Sequence, residues 1–153
     1  LRNIKKPISL DLAREVVRLT RKSGIDVRAM FMLGSPGETE ETVRQTIDFA
    51  IELNPDVAVF NITTPYPGTE MYKWAKENGY LREVGWEHFD LAEVVMHLPT
   101  ISPEKLKYYY HAAYKKFYHR PAYIINRMLK IRTLTDIKNN LRALSSISSF
   151  IES

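Results

Sequence analysis

The chain of 153 residues contains no cysteine. That excludes disulfides, and it excludes a thiolate zinc or iron–sulfur site built from these residues alone. There is no run of ~18 apolar residues of the kind that crosses a bilayer as a helix. The opening stretch, Leu1 to Pro7, has no apolar core of a signal peptide and does not start with Met, so it reads as the beginning of a piece. Ser/His/Asp and paired-carboxylate arrangements are lacking as well. The histidines make no metal set, since His88 and His97 lie in a connecting stretch and His111 and His119 are two helical turns apart. Glu40 and Glu41 read as helix-start charges.

What is present is ordinary for a globular chain: 44% hydrophobic and 26% charged residues. The net charge of +4 is unevenly spread. Residues 1–80 balance at 11 Lys/Arg against 11 Asp/Glu, residues 81–102 carry one basic and four acidic groups, and residues 103–153 carry ten basic and three acidic groups. Any attraction for an acidic partner therefore belongs to the last third.

The periodicity predicts a helix from a Ser9 cap to about Ser23, stopped by Gly24, with Leu12, Val16 and Leu19 as its apolar stripe and Arg14, Arg18, Arg21 and Lys22 in water. Ile25 to Leu33 reads as a strand apolar on both faces. Thr39 caps a helix ending at Asn54-Pro55, Val57 to Thr63 forms a second strand, and Thr69 caps a third helix to Asn78. Strand, helix and strand at this spacing make a parallel pair. Such a pair does not stand alone, because parallel strands lie buried in larger sheets. Either a longer polypeptide or another copy of the chain must supply the remaining strands, the second by self-association through exposed sheet edges.

Residues 81–102 form an acidic linker containing Trp86, His88 and Phe89. Ser102-Pro103-Glu104 starts a helix that reaches Arg120-Pro121, and shorter helices are expected over Ala122 to Ile131 and Asp136 to Ile147. Leu106, Tyr110, Ala113 and Phe117 make a packing stripe on the first of these. The alternative use of that region, with Tyr108, Tyr109, Tyr114 and Tyr118 among Lys105, Lys107, Lys115 and Lys116, is an aromatic and basic surface for nucleic acid or an anionic membrane.

Two glycine turns stand at the strand ends, Gly34-Ser35-Pro36-Gly37-Glu38-Thr39 and Pro65-Tyr66-Pro67-Gly68-Thr69, and α/β proteins build sites at such ends. The first turn has two readings. It is either a ligand cradle, with free N–H groups at a helix start, or a well-capped strand-to-helix turn. Asn61 and Thr63 share one strand face by alternation and give it polar character only near its end.

Taken together, Phe31-Met32-Leu33-Gly34-Ser35-Pro36-Gly37-Glu38-Thr39, Leu53-Asn54-Pro55-Asp56 and Thr64-Pro65-Tyr66-Pro67-Gly68-Thr69-Glu70-Met71-Tyr72 resemble the second half of the radical SAM barrel, most closely its cobalamin-binding branch. Leu1 to Ser9 resembles the segment after the fourth barrel strand, and Phe117-Tyr118-His119-Arg120-Pro121 is similar to a segment of the C-terminal region. The resemblance implies an α/β fold: residues 1–80 as a fragment of a parallel (β/α) partial barrel, 81–102 as linker, and 103–153 as a helical C-terminal extension. It implies S-adenosylmethionine and a 4Fe-4S cluster as cofactors, with cobalamin a further cofactor of that branch. The implied activity is reductive cleavage of S-adenosylmethionine to a 5′-deoxyadenosyl radical, acting on a small-molecule, lipophilic substrate. The lack of cysteine makes a cytoplasmic setting the simpler default, and the basic residues 103–153 suggest peripheral membrane contact. Met32, Leu33 and Gly34 would then pack near the adenine, and Asn61, Thr63 and Tyr66 would line the same cavity. The family's GxIxGxxE motif is met without its first glycine and with Glu38 one residue late. Its CxxxCxxC loop is not in the sequence, so the implied partner is the missing N-terminal half of the same enzyme, without which this piece is expected to be inactive.

Overall fold

The structure, a computed structural model, describes residues 8–82 and 84–129. Seven elements matter here: α1 (Leu10–Lys22), β1 (Arg28–Leu33), α2 (Glu40–Leu53), β2 (Val57–Ile62), α3 (Glu70–Glu77), α4 (Pro103–Tyr118) and α5 (Pro121–Leu129). The helix expected over Asp136 to Ile147 lies outside the described residues. The chain divides into two compact units, Leu1–Tyr110 and His111–Ser153, and the division falls inside α4. No helix among the described residues is long and apolar enough to cross a membrane.

The first unit is α/β. β1 and β2 pair in parallel, with Arg28 opposite Val57 and Leu33 opposite Ile62. One face of the pair is covered: Phe31, Leu33, Ala58, Phe60 and Ile62 are buried, as are Val43, Ile47 and Ala50 of α2, which packs on β1. Phe31 and Phe60 stack there at 5.3 Å between ring centroids. Burial of each large apolar side chain in this layer contributes about 1.5–3 kcal/mol.

The helix starts follow the capping residues. Ser9, Thr39 and Thr69 each accept a hydrogen bond from the third residue beyond, and Thr39 forms a reciprocal box with Thr42. α2 ends as Asn54 turns left-handed, at φ 47°, just before Pro55. Asp56 is buried and accepts the Val27 N–H at 2.9 Å, fixing the entry to β1 against the start of β2.

Three expectations are corrected. The strand expected from Ile25 begins at Arg28, and it is not covered on both sides: Met30 is 66% and Met32 43% exposed. The reason is that α2 lies on one face only, and nothing among the described residues provides a second apolar layer. The stripe of Leu12, Val16 and Leu19 on α1 is likewise exposed, and Val17 is the buried residue of that helix. Arg14 and Arg21 also join α1 to α2. Arg14 pairs with Glu52 at 2.6 Å and lies over the Phe49 ring, and Arg21 donates to the Asn54 carbonyl at 2.7 Å. The described residues provide no layer over the leucine stripe, which is left outward.

Val94, Val95 and Met96 are buried, Leu81 bridges Met96, and the Leu91 carbonyl accepts from the Ile62 N–H at 2.7 Å. The start of α4 is tied to α2: Lys105 and Tyr109 both donate to Glu40, which holds that carboxyl below its usual range. Lys107 pairs with Glu93 at 3.5 Å, at the surface. Of the three consecutive tyrosines, Tyr109 and Tyr110 are buried and Tyr108 is exposed.

The second unit holds the rest of α4 and α5. Phe117, Tyr118 and Tyr123 meet at 5.0–5.3 Å between centroids, and the Arg120 guanidinium lies 4.4 Å from the Phe117 ring.

Candidate functional site

Side chains alternate along a strand, so the face opposite α2 carries Arg28, Met30 and Met32 of β1 and Val57, Val59 and Asn61 of β2. Register places Met30 beside Val59 and Met32 beside Asn61. None of these six is buried. The result is an open face that begins with Arg28, is apolar through Val57, Met30, Val59 and Met32, and ends in one carboxamide. Leu33 points the other way and is fully buried, so it meets the open side only through its backbone.

At the strand ends the two glycine turns are built differently. Gly34 is left-handed at φ 83°, and a Cβ there would stand 2.5 Å from Leu106 Cδ2. Gly68 is also left-handed, at φ 84°, but nothing lies within 4 Å of where its Cβ would be. The first turn is therefore closed by α4 and the second is open.

The free N–H groups of the first turn are occupied from within. The Glu38 carboxylate accepts from both Gly34 N and Ser35 N, the latter at 3.0 Å. The capped-turn reading is thus the one realised at Gly34, and an incoming anion would have to displace Glu38. Ser35 Oγ lies 3.2 Å from Thr63 Oγ1, and the Leu33 carbonyl accepts the Thr63 N–H at 2.7 Å, so the ends of β1 and β2 are joined. Thr100 donates to the Glu38 carbonyl and adds a third element to the turn.

Thr63 follows the open face in register but is buried by these bonds. Tyr66 is exposed and turned toward the linker, its hydroxyl donating to the Phe89 carbonyl at 2.9 Å. Of the six residues singled out from sequence, Met32 and Asn61 stand side by side on the open face. Gly34 and Thr63 form the rim above it, and Leu33 and Tyr66 face elsewhere. The residues the sequence reading did not place are Glu38 and Ser35. Their signal was a carboxylate four residues after a left-handed glycine, close enough to reach back.

Burial raises the Glu38 carboxyl above its ordinary value, against the lowering effect of the Ser35 and Gly34 N–H groups. A carboxyl raised in the folded state binds its proton more tightly there than in the unfolded chain. Its contribution to stability is complete below the ordinary carboxylate value and is lost as pH rises through the raised one. Glu38→Gln keeps an acceptor for the two N–H groups and removes the titration. The stability of Glu38→Gln relative to the parent is expected to increase with pH across the mildly acidic range, as read from urea midpoints at several pH values. A difference that is flat or decreases would contradict this placement of Glu38.

The arrangement has no nucleophile beside a base and no acid–base pair. It offers an apolar strip with a carboxamide at its end and a rim of committed hydroxyl and N–H groups, which suits binding rather than bond making.

No protein-family model matches the chain. An uncharacterized methyltransferase of Pyrococcus horikoshii is 35% identical over 122 residues, covering 80% of this chain and 27% of that protein. The bacteriochlorophyllide d C-8(2)-methyltransferase of Chlorobaculum tepidum is 22% identical over 83% of this chain and 28% of its own. The anaerobic magnesium-protoporphyrin IX monomethyl ester cyclase of Cereibacter sphaeroides is 29% identical over 61% of this chain and 14% of the cyclase. The chain thus spans under a third of the length of each of these relatives. They are methyltransferases and a cyclase of the radical SAM superfamily, at modest identity over part of the chain.

Proposed function

We propose that this chain is the part of a radical SAM enzyme that supplies strands five and six of a (β/α) barrel, and that the open face of β1 and β2 borders the S-adenosylmethionine and substrate cavity. The observation that carries the reading is the two-sided character of the strand pair. One face is closed by α2, and the other presents Met32 and Asn61 in register directly below two turns that lead into capped helices. The outward leucine stripe of α1 supports the same reading, since further barrel elements would cover it. The relatives support the class of enzyme.

The residues fit one implied cofactor and not the other. A 4Fe-4S cluster needs thiolate ligands, and this sequence has no cysteine, so no ligand for it comes from these residues. For S-adenosylmethionine the donor set is suitable. Met32 offers a polarizable apolar contact, and the Asn61 carboxamide offers the donor and acceptor pair that an adenine edge presents. When bound, S-adenosylmethionine is the source of the 5′-deoxyadenosyl group used by this superfamily. Gly34 and Thr63 would position the rim, with Glu38 holding the Gly34–Ser35 turn in place. Leu33 would meet the cofactor only through its backbone, and Tyr66 would stand at the outer edge. Two of the relatives are named for a bacteriochlorophyllide and for magnesium-protoporphyrin monomethyl ester, which supports a lipophilic substrate here. Cobalamin, a cytoplasmic setting and an inactive isolated chain complete the proposal.

Asn61→Leu in the enzyme that carries this chain is expected to weaken S-adenosylmethionine binding about tenfold, the loss of roughly one good hydrogen-bonding group. Its unfolding midpoint should change little, because Asn61 is not buried. Unaltered affinity in isothermal titration would remove the face from the cofactor site.

A further inference from the structure

We propose that the outward face of α5 docks on an anionic lipid surface. The inference is independent of the barrel reading and rests on the second unit alone. α5 has nine residues and none is buried. At 100° per residue, Ile124, Ile125, Met128 and Leu129 fall on one side of the helix and Tyr123 on the opposite side. Tyr123 is the residue that meets Phe117 and Tyr118, at 5.3 and 5.1 Å. The unit's own aromatic cluster therefore stands behind the helix, and the four aliphatic side chains point away from it. Met128 is 64% and Leu129 77% exposed.

Charge selects the occupant. Residues 111–129 contain Lys115, Lys116, Arg120 and Arg127 and no Asp or Glu. Lys115 and Lys116 are exposed on the last turn of α4. An exposed aliphatic stripe with a wholly cationic surround is the pattern of a helix that lies in the headgroup region, where apolar burial and attraction to anionic lipid act together. Nucleic acid is the poorer match. Sequence-tolerant binding of single strands uses exposed aromatic platforms, whereas the rings here pack on one another, Tyr114 stacking on Tyr118 at 6.1 Å. A second copy is also a poorer match. A helix of nine residues, ~14 Å long, buries far less than the roughly 800 Å² per partner of a stable interface, and two surfaces of the same sign repel.

The test is co-sedimentation of the full chain with vesicles of phosphatidylglycerol and phosphatidylcholine, beside vesicles of phosphatidylcholine alone and a fluorescent single-stranded oligonucleotide. Binding to the anionic vesicles is expected, weakening as salt rises. Met128→Glu with Leu129→Glu should reduce it about tenfold or more, and Lys115→Glu with Lys116→Glu should do likewise. All four positions are exposed, so circular dichroism should report unchanged folding. Four outcomes would overturn the proposal. They are no binding to anionic vesicles, binding that ignores the Met128 and Leu129 changes, binding to the oligonucleotide alone, and a concentration-dependent dimer abolished by those changes.

Discussion

Gly34→Ala is expected to lower stability by about 2–4 kcal/mol, while Gly68→Ala, at almost the same backbone angle, should lose only about 1 kcal/mol. The two glycines share the left-handed conformation, at φ 83° and 84°, and so share the backbone cost of acquiring a Cβ. They differ in what the Cβ would meet. At Gly68 there is open space. At Gly34 the new methyl would come 2.5 Å from Leu106 Cδ2, and Leu106 is itself buried on α4. Inserting a carbon into a filled site costs about 1–3 kcal/mol in addition to the backbone term.

A cycle separates the two contributions. Combining Gly34→Ala with Leu106→Ala should show coupling of roughly 1 kcal/mol or more, because the second change removes the atom the first would strike. Independent effects would mean that α4 does not close the turn. The site would change with the stability: Gly34 N–H is one of the two groups that hold Glu38, so displacement of this turn also moves the rim above Met32 and Asn61.

Much of the local architecture was legible because it is written in short-range chemistry. Ser9, Thr39 and Thr69 announce their helices by side-chain oxygens that reach three residues forward. Asn54-Pro55 ends α2 by a left-handed turn followed by a residue that cannot extend the helix. The parallel pairing of β1 and β2 followed from the spacing of strand, helix and strand.

What was not legible depends on partners distant in sequence. Leu12, Val16 and Leu19 look like a core-facing stripe in any local window. Their outward direction reflects the absence, among the described residues, of an element to cover them, which no local window reveals. Met30 and Met32 look like part of a doubly covered strand, because hydrophobicity does not say how many layers are at hand. At the site, Met32 beside Asn61 could be inferred from alternation once the strands were paired. Glu38 could not be placed, since its spacing departs from the motif it resembles and its role depends on a backbone turn. The partner of the Tyr66 hydroxyl, the Phe89 carbonyl 23 positions on, could not be read from the local sequence either.

The central claim is that these strands form one wall of a site whose iron–sulfur ligands lie in another part of the enzyme. The expected effect is all or none, because no side chain here is a thiolate and the described residues offer no comparable ligand set. The most direct measurement is anaerobic reconstitution with iron and sulfide, reading bound iron, acid-labile sulfide and 5′-deoxyadenosine released from S-adenosylmethionine. An enzyme in which this chain continues from a CxxxCxxC-bearing portion should take up a stoichiometric cluster and release 5′-deoxyadenosine. The 153-residue chain alone should do neither. A stoichiometric cluster and cofactor cleavage by the chain alone would contradict the account.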